Sequence, residues 1–306
     1  MYLLLVVADA EVNLVKYEKD AYSTKNKHPF YLTTMSINSA NPQHPIKRPQ
    51  GTITRGKTAK NRLRQVDHFV MIYDPMLLSA ANQNVFVDLG YGYDSITTLE
   101  LSNRFHKLNP SLKVIGVEID PERVENAKTN ETDLIKFRLG GFNIPLETSE
   151  VIRGIRAFNV LRQYEEEDVS PAWDVMGRNV QDGGLLLEGT SNPVGSIWVA
   201  NALRMKGKSW EKEALVFYCN FSMGFDPSEY QAVLPKNYIH RMVEGEKIFE
   251  FFESWKQAAK ERIFEKTWGD KRWFASSVLT LKEKGFNVLT LKKYLEKGYL
   301  VLKDLD

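Results

Sequence analysis

The chain has 306 residues, enough for one large domain with additions, and its apolar (43%) and charged (26%) fractions are those of a globular fold rather than a disordered one. A formal net charge of +2 excludes bulk attraction to nucleic acid or membrane, so any basic signal has to be local. The single cysteine, Cys219, excludes an internal disulfide and a thiolate zinc cluster, and a reducing, cytoplasmic setting is the expectation that goes with it.

In chain order, residues 1–46 read as a poorly ordered extension, with Met35 as an alternative start. The apolar run at 1–7 is too short for a membrane span, and no later run is long enough. Residues 47–80 form a second segment, a basic loop and helix. Lys47, Arg48, Arg55, Lys57, Lys60, Arg62 and Arg64 follow one another with no acid between them, interleaved with Gly51, Gly56 and three threonines. Two readings stand side by side: a solvated basic face, or a segment that folds over a ligand mouth and handles an anionic group. Val66, Phe69, Val70 and Tyr73 then fall at core spacing and predict a helix over 66–78.

From residue 81 to 221 the pattern is a βα alternation. Strands are predicted at 84–89, 113–119, 135–139, 155–158, 185–188 and 214–221, with helices at 95–107, after Asp120-Pro121-Glu122, and at 173–179. Residues 222–306 add helices at 247–266 and 272–284 and a final strand at 299–302, completing the same domain. The fold class is therefore α/β: a Rossmann-like, doubly wound, mostly parallel seven-stranded sheet with helices on both faces.

Ligands of such sheets lie outside the carboxyl ends of the strands. The stretch Asp88-Leu89-Gly90-Tyr91-Gly92 ends the first strand in a glycine turn before a helix, which is a nucleotide-site arrangement. Glu118 ends the second strand, where a carboxylate suits a ribose diol because it accepts from both hydroxyls. Asp88 and Asp94 flank the glycines, and both would repel the phosphates of a dinucleotide. A ligand with a ribose and a cationic end, but no phosphate, suits them better.

Val87-Asp88-Leu89-Gly90-Tyr91-Gly92, Ile115-Gly116-Val117-Glu118-Ile119-Asp120 and Asp182-Gly183-Gly184-Leu185-Leu186 resemble, in order and spacing, successive motifs of the class I S-adenosylmethionine-dependent methyltransferases. The resemblance implies that S-adenosylmethionine is the cofactor, with Asp88, Gly90 and Gly92 on its methionine and ribose side and Glu118 on the ribose. It extends to Leu89, Tyr91, Ile119 and Gly141 as cofactor contacts, and to Asn159 beside the methyl group. Two departures from the family pattern are Asp94, in place of a third glycine, and Gly141, in place of the acid often found beside the adenine amino group. With no acid there, Asn143 or a backbone group has to take that role. Through Thr54-Arg55-Gly56-Lys57-Thr58, Asn61-Arg62-Leu63-Arg64 and Asn159-Val160-Leu161-Arg162 the chain also resembles uncharacterised bacterial methyltransferase-like proteins, which carry no substrate with them.

The acceptor is narrowed by exclusion. Asn159-Val160-Leu161-Arg162 lacks the Asn/Asp-Pro-Pro-aromatic turn common in amino-group methylation of bases, and Cys219 sits in an apolar run unsuited to a nucleophile. No His and acid cluster suggests a metal. His240 is the candidate proton acceptor by placement, against the plainer reading of a structural histidine. Asn159 and Arg162 are expected near the reacting centre, Glu188 and Arg162 in the pocket lining, and Arg162, Arg241 and the run from Arg55 to Arg64 opposite an anionic small molecule or RNA. The alternatives are a non-catalytic module of the same fold that binds RNA or protein, and an aminopropyltransferase. The second is disfavoured because Asn159 and Arg162 stand where a polyamine would want acids.

Overall fold

The computed structural model describes residues 49–53 and 58–305. The expectations for residues 1–46, and those for Lys47, Arg48, Arg55 and Lys57, lie outside them. Apolar runs broken by glycine and proline become strands β1 (Val85–Leu89), β2 (Val114–Glu118), β3 (Ile135–Leu139), β4 (Ile152–Phe158), β5 (Val180–Ser191), β6 (Ile197–Lys206), β7 (Ser209–Cys219) and β8 (Tyr299–Leu302). They form one mixed sheet in the order β3-β2-β1-β4-β5-β6-β7-β8. β1 to β5 pair in parallel, and β6, β7 and β8 continue the sheet antiparallel. Every residue of β1, β2 and β4 is buried, as expected of strands covered on both faces.

The sheet has eight strands where seven were expected. The unpredicted one is β6, in which strand-favouring Ile197, Trp198 and Val199 are followed by Ala200-Asn201-Ala202-Leu203-Arg204-Met205, a run with little strand preference of its own. Its conformation comes from pairing, since it lies between β5 and β7 in two long hairpins. The final strand pairs with β7 as β8, at the residues predicted.

Helices α1 (Arg64–Tyr73) and α2 (Pro75–Ser79) replace the single helix expected over 66–78. The break comes at Asp74, whose φ of −137° lies outside the helical region as is usual before proline. Its carboxylate then caps α2 by accepting from the Leu77 N–H at 2.9 Å. Helices α1 and α3 (Ile96–Phe105) bury Phe69 and Phe105 on one sheet face, against Phe86, Leu187 and Trp198. Helix α4 (Pro121–Lys128) packs Ala127 with Ile135 and Phe137, and its start is capped by Asp120. The opposite face carries α5 (Val169–Gly177) over the parallel half, and α6 (Lys247–Glu261) with α7 (Asp270–Glu283) over the antiparallel half. Trp198, Phe217 and Tyr218 are core residues, and Cys219 is a buried thiol pushed up by burial. Among the described residues no helix is long and apolar enough to cross a membrane.

Candidate functional site

The glycine turn after β1 is built for close approach. Gly90 and Gly92 have φ of +70° and +92°, where a side chain is strained, and a Cβ at Gly90 would lie 2.6 Å from Val160 Cγ2. Glu118, buried at the end of β2, locks the turn from the neighbouring strand. Its Oε2 accepts from the Gly92 N–H at 3.0 Å and its Oε1 from the Ile119 N–H at 3.0 Å. Burial raises the Glu118 carboxyl, while those two N–H groups and Arg123 oppose the rise. Oε1 also faces Arg123 Nη1 at 3.7 Å, and the carboxylate lines the smaller cavity.

Two cavities meet at this turn. One, of about 270 Å³, is lined by Gly90, Glu118, Ile119, Gly141, Phe142 and Tyr164, with Gln50 to Thr52 across it. The other, of about 470 Å³, is lined by Arg62, Asp88, Tyr91, Gly92, Phe158 and Asn159, among others. Leu89 and Gly90 line both, so the two are halves of one bent site. All the cofactor-binding residues expected from sequence line one half or the other.

The charges differ from the sequence reading. Asp88 is not a free carboxylate: Arg156, fully buried in β4 and in register with it, donates to its Oδ1 at 3.0 Å and its Oδ2 at 2.7 Å. Thr98 Oγ1 donates to Oδ2 at 2.8 Å. Arg156 also binds Asp67 of α1, which Arg104 of α3 meets at 2.7 Å. Burial alone would lower the Arg156 guanidinium, but the two carboxylates outweigh it and hold it above its ordinary value. The other acid, Asp94, is exposed and accepts from the Ile96 N–H at 2.9 Å, at the start of α3. The like-charge argument against phosphate therefore fails for Asp88. A different argument replaces it, because the Asp94 carboxylate already sits at the helix N-terminus a phosphate would use.

Asn159 follows β4 in a left-handed conformation, φ +61°, and is latched to the end of β5. Its Oδ1 accepts from the Ser191 N–H at 3.0 Å and its Nδ2 donates to Ser191 Oγ at 3.3 Å, which leaves one amide hydrogen for a ligand. Tyr91 lies under the turn, edge-on to Phe137, and burial raises its hydroxyl. Arg62 is the functional residue the sequence did not single out from its basic run. While Lys60 and Arg64 are exposed, Arg62 folds inward and donates to Ser191 Oγ, Ser191 O and Asn192 O at 3.0–3.1 Å. Burial lowers its guanidinium, and none of these acceptors is a carboxylate.

Three expected residues lie elsewhere. Arg162 is exposed, binds the Ala232 carbonyl at 2.8 Å and lines neither cavity. His240 is exposed at the end of the single turn Lys236–Ile239 and also lines neither. Glu188 points into the core rather than the pocket, bonded to Asn201 Nδ2 at 2.9 Å, and burial pushes its carboxyl up to about 7. Among the described residues no cluster of His, Cys, Asp and Glu is arranged to hold a metal.

No family model matches the chain, and no curated relative does either. Among solved structures, it is similar over part of its length to the plantazolicin methyltransferase BpumL in complex with pentazolic desmethylPZN analog and SAH (11% identity, 43% of this chain and 48% of that chain, TM-score 0.33). It is similar also to the citrinin polyketide synthase CMeT domain (14% identity, 44% and 36% covered, TM-score 0.36) and to a pericyclic reaction enzyme (14% identity, 37% and 28% covered, TM-score 0.31). The matches span less than half the length of each of these proteins. Overlap this small carries no weight for function.

The site itself fits a nucleoside with a polar tail. Glu118 brings a buried carboxylate to the smaller cavity and Arg62 a guanidinium to the larger one, while Gly90 lets the turn pack against Val160.

Proposed function

We propose that this protein is an S-adenosylmethionine-dependent methyltransferase. The observation that carries the reading is Glu118, a buried carboxylate at the end of β2 that accepts from the Gly92 N–H of the glycine turn and lines the smaller cavity. In this reading Glu118 holds the ribose hydroxyls, Gly90 lets the sugar approach the backbone, and Ile119 and Phe142 flank the base. Arg62 meets the carboxylate of the methionine half, and Asn159 directs its remaining amide hydrogen to the same half. Residues 47–80 would close over the cofactor once it is bound, 81–221 form its binding core and 222–306 complete the domain. When bound, S-adenosylmethionine supplies a sulfonium methyl group for in-line displacement, for which the protein has mainly to hold the acceptor aligned and exclude water. The acceptor is an anionic small molecule or RNA. Support for an anion is the charge of Arg62 beside the larger cavity, with Lys60 and Arg64 exposed nearby in the chain.

Calorimetric titration with S-adenosylhomocysteine tests the reading. Folded wild type is expected to bind. Glu118→Gln, which can accept only one of its two backbone N–H groups, is expected to bind about tenfold to a hundredfold more weakly. Absence of binding by folded wild type refutes the assignment.

A further inference from the structure

Residues 50–52 form a wall of the smaller cavity, tied to the segments after β3 and β4. The Phe142 N–H donates to the Gln50 carbonyl at 2.8 Å, and the Gln50 N–H donates to Asn143 Oδ1 at 2.7 Å. Two residues on, the Thr52 N–H donates to the Tyr164 hydroxyl, and Gln163 Nε2 donates to the Thr52 carbonyl at 3.1 Å. The backbone of Gln50 thus presents an acceptor and a donor to a donor and an acceptor on the segment after β3. Adenine offers the same pair, a ring nitrogen that accepts beside an exocyclic amine that donates.

Gly141 shows that the chain is built around this contact. A Cβ there would stand 1.9 Å from the Gln50 carbonyl oxygen and 2.7 Å from its carbon. Its φ is not in the left-handed region, so the glycine is required for space and not for backbone conformation. This is the position where an acid was expected beside the adenine amino group. The missing acid and the presence of Gln50 are therefore one feature.

We propose that residues 50–52 are an internal strap that occupies the base position of the smaller cavity and has to leave before a nucleoside binds there. The proposal rests on the nucleoside reading of the site given above. The strap is held by four hydrogen bonds, and Gly51 and Thr52 are exposed, so it belongs to the low-stability end of the structure, where local opening is easiest. Apparent affinity falls by the fraction of molecules that are open, so a strap docked nine-tenths of the time weakens binding about tenfold.

Two single variants of the full chain test this. Gln50→Pro removes the N–H that Asn143 accepts, and Gln163→Ala removes the amide that donates to the Thr52 carbonyl, from an exposed residue that lines neither cavity. S-adenosylhomocysteine is titrated into wild type and both variants, with folding checked by circular dichroism. Each variant is expected to bind about fivefold to tenfold more tightly than wild type. If wild type binds and the folded variants bind equally or more weakly, the segment is a wall closing on the ligand and the proposal is overturned. If none of the three binds, the proposal and the methyltransferase reading fall together. Should Gln50→Pro fail to fold, Gln163→Ala decides alone, because its change lies on the surface.

Discussion

Arg156→Met isolates the buried charge network from the ligand site. The guanidinium is fully buried and makes two bonds to Asp88, one to Asp67 and one to the Thr97 carbonyl at 3.1 Å. Methionine fills most of the volume but leaves the acids behind. Removing one partner of a buried ion pair costs about 3–5 kcal/mol. Asp67 keeps Arg104 and Asp88 keeps the hydroxyls of Thr97 and Thr98, so the lower part of that range applies, about 3–4 kcal/mol. For a chain of this size that is a Tm lowered by roughly 5–6 °C. The pH dependence gives a second signature. Burial already raises the Asp67 carboxyl against the pull of Arg156 and Arg104, and losing Arg156 raises it further. A carboxyl raised in the folded state favours folding below its unfolded pKa and loses that contribution as pH rises through the folded one. The deficit of the variant is therefore full at pH 7 and narrows as pH falls and Asp67 takes a proton. Urea unfolding at pH 7 and pH 4.5 measures both. A loss under 1 kcal/mol at pH 7, or one that does not shrink in acid, refutes the network as drawn.

Glu188 titrates near 7 inside the core, so its raised carboxyl stabilises the fold in acid and that contribution is lost as pH rises through about 7. Glu188→Gln is expected to be more stable than wild type at pH 8 by up to about 3 kcal/mol and equal to it near pH 4.5, and parallel unfolding curves across that range would rule out the assignment. Arg62→Met is expected to weaken S-adenosylhomocysteine about tenfold to a hundredfold while leaving 5′-methylthioadenosine, which has no carboxylate, unaffected. Equal losses for both ligands would place Arg62 elsewhere. Gly90→Ala is expected to abolish binding of either ligand, with a stability loss of about 1 kcal/mol or more, because its Cβ meets Val160 and its φ is +70°. Retained binding in calorimetry would show that the turn is not the nucleoside's seat.

The glycine turn, Glu118 and the capping role of Asp120 were legible because each is a local signal: a strand, a break and a helix start within a few residues. The charge network was not. Asp67 meets Arg156 across 89 positions, and Arg156 in β4 offers no hint from its neighbours that its partner lies on α1 and β1. For the same reason Asp88 was read as a free acid. β6 escaped because its strand-favouring part is only Ile197, Trp198 and Val199, and its pairing with β5 and β7 carries the rest. Gln50 escaped because it binds through backbone atoms, which every residue has. Only Gly141, a glycine at a position where the family resemblance leads one to expect an acid, marked the place.

β8 bears on the order in which the molecule becomes competent. The Tyr299 hydroxyl donates to the Gln65 carbonyl at 2.9 Å, spanning 234 positions, and Lys293 Nζ donates to the Ile72 carbonyl at 2.9 Å. Both anchor α1, the helix directly after Arg62 and Leu63 of the larger cavity. A chain emerging from the ribosome thus makes the wall of its pocket early and the brace for that wall last. Until Lys293 and Tyr299 reach α1, that helix is held through Asp67, which meets Arg104 and Arg156, and through its apolar face.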